Sequence, residues 1–386
     1  MSATASPEIP VQSPQLTARA AHLQRPRFGS ASTFHRDLKT RADRYFTDNR
    51  LSERDLPAMY GKTAIILTWW ALSWCGLVLW ASSWPTAVLF SVSLGLAVAT
   101  IGMSVMHDAN HGGYSRHAWV NQLMGWTIDA MGASSHVWKT KHNAAHHTFT
   151  NIVGFDDDLN LGPLARMAPQ QPRMPWHRFQ HIYLWVLYAF LLPKWVFLDD
   201  PANLATSRVG CHAVGRPTMG QWAGLLGGKA FFVLWAIVIP AMLHPGWMVT
   251  LGFFGTCAVV GVTLAVTFQL AHCVQEAEFV TAPADGRLDV DWAVHQLATT
   301  VDFAPDNKLV TWAMGGLNFQ VVHHLFPKVC HLHYPALTKI VAATAADHGL
   351  QYRSTQHLSS AIASHYRLLR ELGRPEQQQM AAVAAA

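Results

Sequence analysis

Three short stretches of this sequence carry the residue types and spacings of a metal site. "HDANH" (107–111) pairs His107 with His111, "HNAAHH" (142–147) joins His142, His146 and His147, and "QVVHH" (320–324) ends in the doublet His323–His324. A neutral imidazole offers one lone pair, which iron, zinc, copper and nickel all accept. With 22 histidines in 386 residues, chance supplies about one HxxxH pair and about one HH doublet. His177 and His181 in "WHRFQH" therefore read as a decoy. The triple HxxxHH is not expected by chance, and it does not stand alone. Seven ligands are too many for one tetrahedral zinc. They suit two ions of higher coordination number.

Helical geometry accounts for the spacing, because residues four apart lie about 40° from one another around the axis. His107 and His111 share a face, and Gly112–Gly113 offers a helix stop. His142 and His146 share a face likewise. His147 lies about 100° further round and is placed to reach a second ion. Gln320, His323 and His324 fall within an arc of about 100°. His272 closes an apolar run much as His107 closes another, and is the expected eighth ligand.

The elements that must position these groups are membrane helices. The chain is 51% hydrophobic and only 13% charged, against a usual charged share of about a quarter. Residues 63–84, 85–106 and 248–271 contain no charged side chain, and 222–243 contains one, Lys229, expected to snorkel from near an end. Each run is long enough to cross a hydrocarbon core of about 30 Å as a helix. The stretch 182–198 is short and interrupted by Pro193–Lys194, so an interfacial or re-entrant helix is expected. A crossing there would also put the histidine groups on opposite sides of the bilayer.

Ten Lys or Arg residues lie between Arg19 and Lys62, and none in the turns near Ser82–Pro85 and 244–247. By the positive-inside rule both termini and the middle segment face the cytoplasm, histidines included. The net charge of +5 therefore reflects topology, and nucleic acid is not an expected partner. Five cysteines without CxxC spacing point to neither disulfides nor a thiolate zinc site. Residues 1–60 form a polar segment without an apolar signal sequence, its first part expected to be disordered. Residues 61–345 form the membrane domain, and 346–386 a helix followed by an Ala/Gln-rich tail. The fold class is thus an all-α integral membrane protein, four spans with a helical cytoplasmic cap holding a di-metal site.

With "HDANH", "HNAAHHTFTNIVGFDDD" and "GGLNFQVVHHLFP" in view, the chain resembles the membrane-bound fatty acid desaturases with histidine boxes, and among them the front-end group. The likeness covers roughly residues 60–345. It implies two ferrous ions held by His107, His111, His142, His146, His147, His272, His323 and His324, with Gln320 in the box position taken by glutamine in that group. It also implies O₂-dependent removal of two hydrogens from the acyl chain of a lipid or acyl thioester, giving a cis double bond. Two features depart from the front-end pattern. No cytochrome b5 haem motif occurs in the N-terminal segment, so electrons must come from a separate carrier of ferredoxin, flavoprotein or cytochrome b5 type. Val322 stands where a glutamate is usual.

An all-imidazole shell leaves cationic charge uncompensated, so carboxylates are expected behind it. Asp108, Asp156, Asp157 and Asp158 are the candidates. Trp138, Trp312 and Phe319 could line an acyl channel, and Lys139 and Lys141 could meet an anionic headgroup. His117, His136, His177, His181, His212, His295, His331 and His333 are read as surface or loop residues, His331 and His333 with the best claim to a supporting role. A histidine-box hydroxylase or monooxygenase is the nearest alternative. A haem-binding electron-transfer protein is remoter, because no histidine lies inside the four apolar runs.

Overall fold

The computed structural model describes residues 24–375; the start of the N-terminal segment and the Ala/Gln-rich tail lie outside the described residues. Helix α1 (Thr33–Asp48) begins at Ser32, whose hydroxyl accepts the His35 amide, and buries Phe34, Leu38, Ala42 and Phe46 at fourfold spacing. Then come α2 (Pro57–Trp80) and α3 (Trp84–His111), two long apolar helices. After α4 (Ala118–Gly125) the chain enters α5, a continuous helical segment over 135–149.

Helices α6 (Pro175–Tyr188) and α7 (Leu191–Thr206) take up the stretch around 182–198 and are bent against each other by 75°. Helices α8 (Met219–Leu243) and α9 (Gly246–His272) complete the four helices among the described residues that are long and apolar enough to cross a membrane. Shorter helices follow: α10 (Trp292–Thr299), α11 (Lys308–Ala313), α12 (Gln320–Leu325), α13 (Tyr334–Asp347) and α14 (Leu358–Leu372). The molecule is mostly helical, and its strands are two-residue pairings that tie distant loops, such as Ile152–Val153 with Val280–Thr281.

The long helices expose Leu72, Trp80, Leu89 and Leu251, as lipid-facing surfaces do. Where they cross, small residues let backbones approach. A Cβ at Gly261 of α9 would stand 2.2 Å from the Tyr188 carbonyl of α6. Lys229 does not snorkel as expected: its ammonium donates to the carbonyls of Gly132 (2.7 Å) and Val196 (3.4 Å), tying α8 to the segments before α5 and within α7. Outside the spans, α1, α10, α12 and α13 share one core built from Phe34, Leu297, Phe319, Val322 and Leu337. That lobe holds α12 against the ends of α3 and α9.

Candidate metal centre

Each element delivers its histidines for a local reason. Helix α3 continues past the apolar run through His107 and His111 and stops at Gly112, whose φ of +79° suits glycine. Helix α9 ends at His272. Helix α12 is capped by Asp302, whose Oδ1 accepts the Val321 amide at 2.8 Å. Gly315, at φ +59°, brings the preceding loop against α3, where a Cβ would lie 2.2 Å from the Met103 carbonyl.

All eight histidines converge, each of them buried. The ligand atoms of His107, His111, His142 and His323 lie within 4.8 Å of one another, as do those of His146, His272 and His324, and those of His147, His323 and His324. His142 Nε2 is 3.2 Å from His107 Nε2 and 3.2 Å from His147 Nε2. Nitrogens bound to one ion at about 2.1 Å are separated by about 3.0–3.4 Å, so these spacings fit shared ions. Nε2 of His111 and of His323 is buried without a hydrogen-bond partner among the described residues. Orphaned lone pairs of this kind are what a cation satisfies.

The grouping differs from the reading of α5 as a regular helix. His142 was expected to share a face with His146, and His147 to point further round, toward a second ion. His142 and His146 stay within ligand spacing of each other, together with Asp158, while His142 also joins the set from α3 and His146 also faces His272 and His324. Residues 139–146 are wound as a π-helix, whose wider turn advances each residue by about 80°. His146 and His147 then straddle the direction of His142, one on each side.

The outward nitrogens fix the rings. Nδ1 of His146 lies 3.1 Å from Asp156, Nδ1 of His324 2.8 Å from Gln296 Oε1, Nδ1 of His272 3.3 Å from the Thr299 carbonyl, and Nδ1 of His323 3.2 Å from the Tyr334 hydroxyl. With Nδ1 so engaged, Nε2 is the nitrogen turned to the centre. Burial, and then the neighbouring imidazoles, hold His142, His147, His323 and His324 well below the ordinary histidine pKa. They are neutral imidazoles at pH 7. Gln320 Nε2 lies 2.9 Å from His272 Nε2, and the same amide turned about its last torsion presents oxygen there.

Among the carboxylates, Asp156 lies against His146 and also accepts the Asn151 amide at 2.9 Å. Asp158 is 3.5 Å from His146, but it and Asp157 chiefly pair with Lys141, which is thereby engaged rather than free for a headgroup. Asp108 accepts from His331 at 2.8 Å and stands 3.9 Å from His107. His331, His295, His177 and His333, read as hydrogen-bonding surface or loop residues, are hydrogen-bonded but buried. Trp138 stacks on His142 at 4.4 Å, and Phe319 lies in the lobe core. Gln296, Thr299 and Tyr334 went unnoticed in the sequence, where nothing marks them. A cavity of about 410 Å³ lies elsewhere, among the spans between Ser82, Trp235 and Val260, and none of the eight histidines lines it.

Four apolar helices with a buried octet of histidines at their ends define a class of membrane oxidoreductase. The fatty acid desaturase profile matches residues 82–356, and the chain belongs to the fatty acid desaturase family. It is a fatty acyl desaturase. The chain is 38% identical over 354 residues to the sn-1 linoleoyl-lipid 6-desaturase of Arthrospira platensis, covering 89% of this chain and 94% of that one. It is 36% identical to the enzyme of the same name from Synechocystis sp., covering 91% and 98%. The acyl-lipid (8-3)-desaturase of Physcomitrium patens is 34% identical, over 89% of this chain and 72% of its own.

Proposed function

We propose that the chain holds two iron ions in its histidine cluster. It uses O₂ and electrons from a separate carrier to desaturate an acyl chain carried by a membrane lipid. The observation that carries this reading is the convergence of His107, His111, His142 and His323 on one side and His146, His272 and His324 on the other. His147 lies between the two sets. Bound there, a pair of ferrous ions would activate O₂, the oxidant that an unactivated methylene requires.

The chain's own part is positioning and exclusion of water. Asp156, Gln296, Thr299 and Tyr334 hold four ligand rings by their outer nitrogens. Trp138 walls the His142 ring, and the burial of all eight imidazoles keeps bulk water from the reacting carbon. Basic residues before α2 favour a cytoplasmic site, with 61–345 as the catalytic domain.

The names of the relatives support a lipid-linked substrate and a new double bond on the carboxyl side of existing ones. Val322, in place of the usual glutamate, is compatible with that outcome because its side chain is buried in the lobe core rather than among the ligands. Two measurements test the reading. Expressed in a host of simple lipid composition fed linoleate, the chain should place a new cis double bond at carbon 6 of lipid-bound chains. A hydroxylated product, or unsaturation added on the methyl side, refutes this. Purified protein should hold about two irons per chain. His142→Ala and His323→Ala should each lose iron and all activity; full iron in both refutes the ligand set.

A further inference from the structure

A second polar chain is buried behind the first histidine pair, and it reaches a charged residue of the first span. Lys62 of α2 is 5% exposed, and its Nζ lies 2.8 Å from His331 Nε2. His331 Nδ1 lies 2.8 Å from Asp108 Oδ2, and the His331 backbone amide donates to the same oxygen at 3.1 Å. The other oxygen, Asp108 Oδ1, faces His107 Nδ1 at 3.9 Å. His107 Nε2 in turn points to His142.

The directions of these bonds are set by chemistry. An ammonium has three N–H groups and no lone pair, so Lys62 donates to His331 Nε2. His331 is then the tautomer protonated on Nδ1, and it donates to Asp108. The carboxylate, 2% exposed, is thereby fixed in orientation with its other oxygen turned toward His107. A negative charge 3.9 Å from Nδ1, beyond hydrogen-bond distance, favours by electrostatics the His107 tautomer protonated there, which leaves the Nε2 lone pair for the centre. A lysine buried in a membrane helix is costly unless it is paired. Here the cost is offset by the carboxylate, through one imidazole, and by the Trp312 ring 5.2 Å from Nζ. Asp108, Cys330 and His331 also have ligand-like spacing, but a cation among them would meet the Lys62 ammonium.

We infer that Lys62 and His331 are positioning residues for the ion held by His107, acting through Asp108. This rests on the metal reading given above, and its test separates the two. Iron release from the full-length purified protein into a ferrous chelator is followed at pH 7 for the unsubstituted chain, Lys62→Met, His331→Leu and His331→Asn, beside Mössbauer spectra of each. Lys62→Met and His331→Leu should release one of the two irons about tenfold to a hundredfold faster. They should alter the spectrum of one iron and leave the other unchanged. His331→Asn, whose amide nitrogen can replace Nδ1–H, should restore the slower release.

Lys62→Met leaves the His331–Asp108 pair intact, so it carries the test even where His331→Leu does not fold. Release and spectra unchanged in Lys62→Met overturn the proposal. Equal disturbance of both irons, the mark of a general loosening, overturns it too, as does a third equivalent of iron in the unsubstituted chain. An unsubstituted chain that purifies without iron is the separate failure of the metal reading, and takes this inference with it.

Discussion

Single side chains behind the imidazoles set the quality of this centre as much as the imidazoles themselves. Asp156 accepts from His146 Nδ1 at 3.1 Å while two backbone amides, of Asn151 and Asp158, hold its carboxylate still. Replacing it by alanine frees the His146 ring without touching a ligand. Asp156→Ala should therefore weaken iron binding by about tenfold to a hundredfold in chelator competition, with the fold retained. Unchanged affinity would show that His146 needs no such restraint. Asn151 plays a different part. Its amide donates to the carbonyls of His272 and Glu278, at 2.9 and 3.0 Å, and so joins the end of α9 to the loop after α5.

At the scale of elements, the placement of α12 depends on two contacts that leave no slack. Gly315 presses on the α3 backbone at a positive φ. Gly315→Ala strains the turn and drives a Cβ into the Met103 carbonyl, costing about 1–3 kcal/mol. A lowered thermal midpoint in detergent, with less bound iron, is the expected result. The second contact is the Asp302 cap. Burial pushes the Asp302 carboxyl up to about 7, although Tyr352 and the Val321 amide favour its ionised form. A carboxyl raised in the folded state contributes stability below its unfolded pKa of about 4 and loses it as pH rises toward 7. Thermal stability should thus fall between pH 5 and 7, and Asp302→Asn should flatten that slope. An identical slope in the variant would locate the titration elsewhere.

For the whole molecule, histidines from α3, α5, α9 and α12 meet in one buried cluster, so bound ions would cross-link two spans to the lobe outside them. Anything that binds the folded state alone raises its stability by mass action. Stripping metal with a chelator should lower the melting temperature and raise hydrogen exchange in α5 and α12, while the middle of α2 stays unchanged. Re-addition of ferrous iron should reverse both changes. Exchange that rises uniformly over the chain would mean that the centre does not tie the lobe to the spans.

The sequence by itself determined the four long helices and the histidine spacing. Both follow from local rules: a run of some twenty apolar residues satisfies its own backbone in lipid, and fourfold spacing puts side chains on one face. It also marked Asp156 and Asp108, which lie within ten residues of the histidines they face. The tertiary structure alone decided how the histidines divide, because the π-turn over 139–146 brings His147 round to the side of His142 opposite His146. It alone brought Gln296, Thr299, Tyr334 and His331 behind the rings, and turned Lys229 inward. These partners come from segments far apart along the chain. Contacts of that kind are set by how whole helices pack, which no local periodicity encodes.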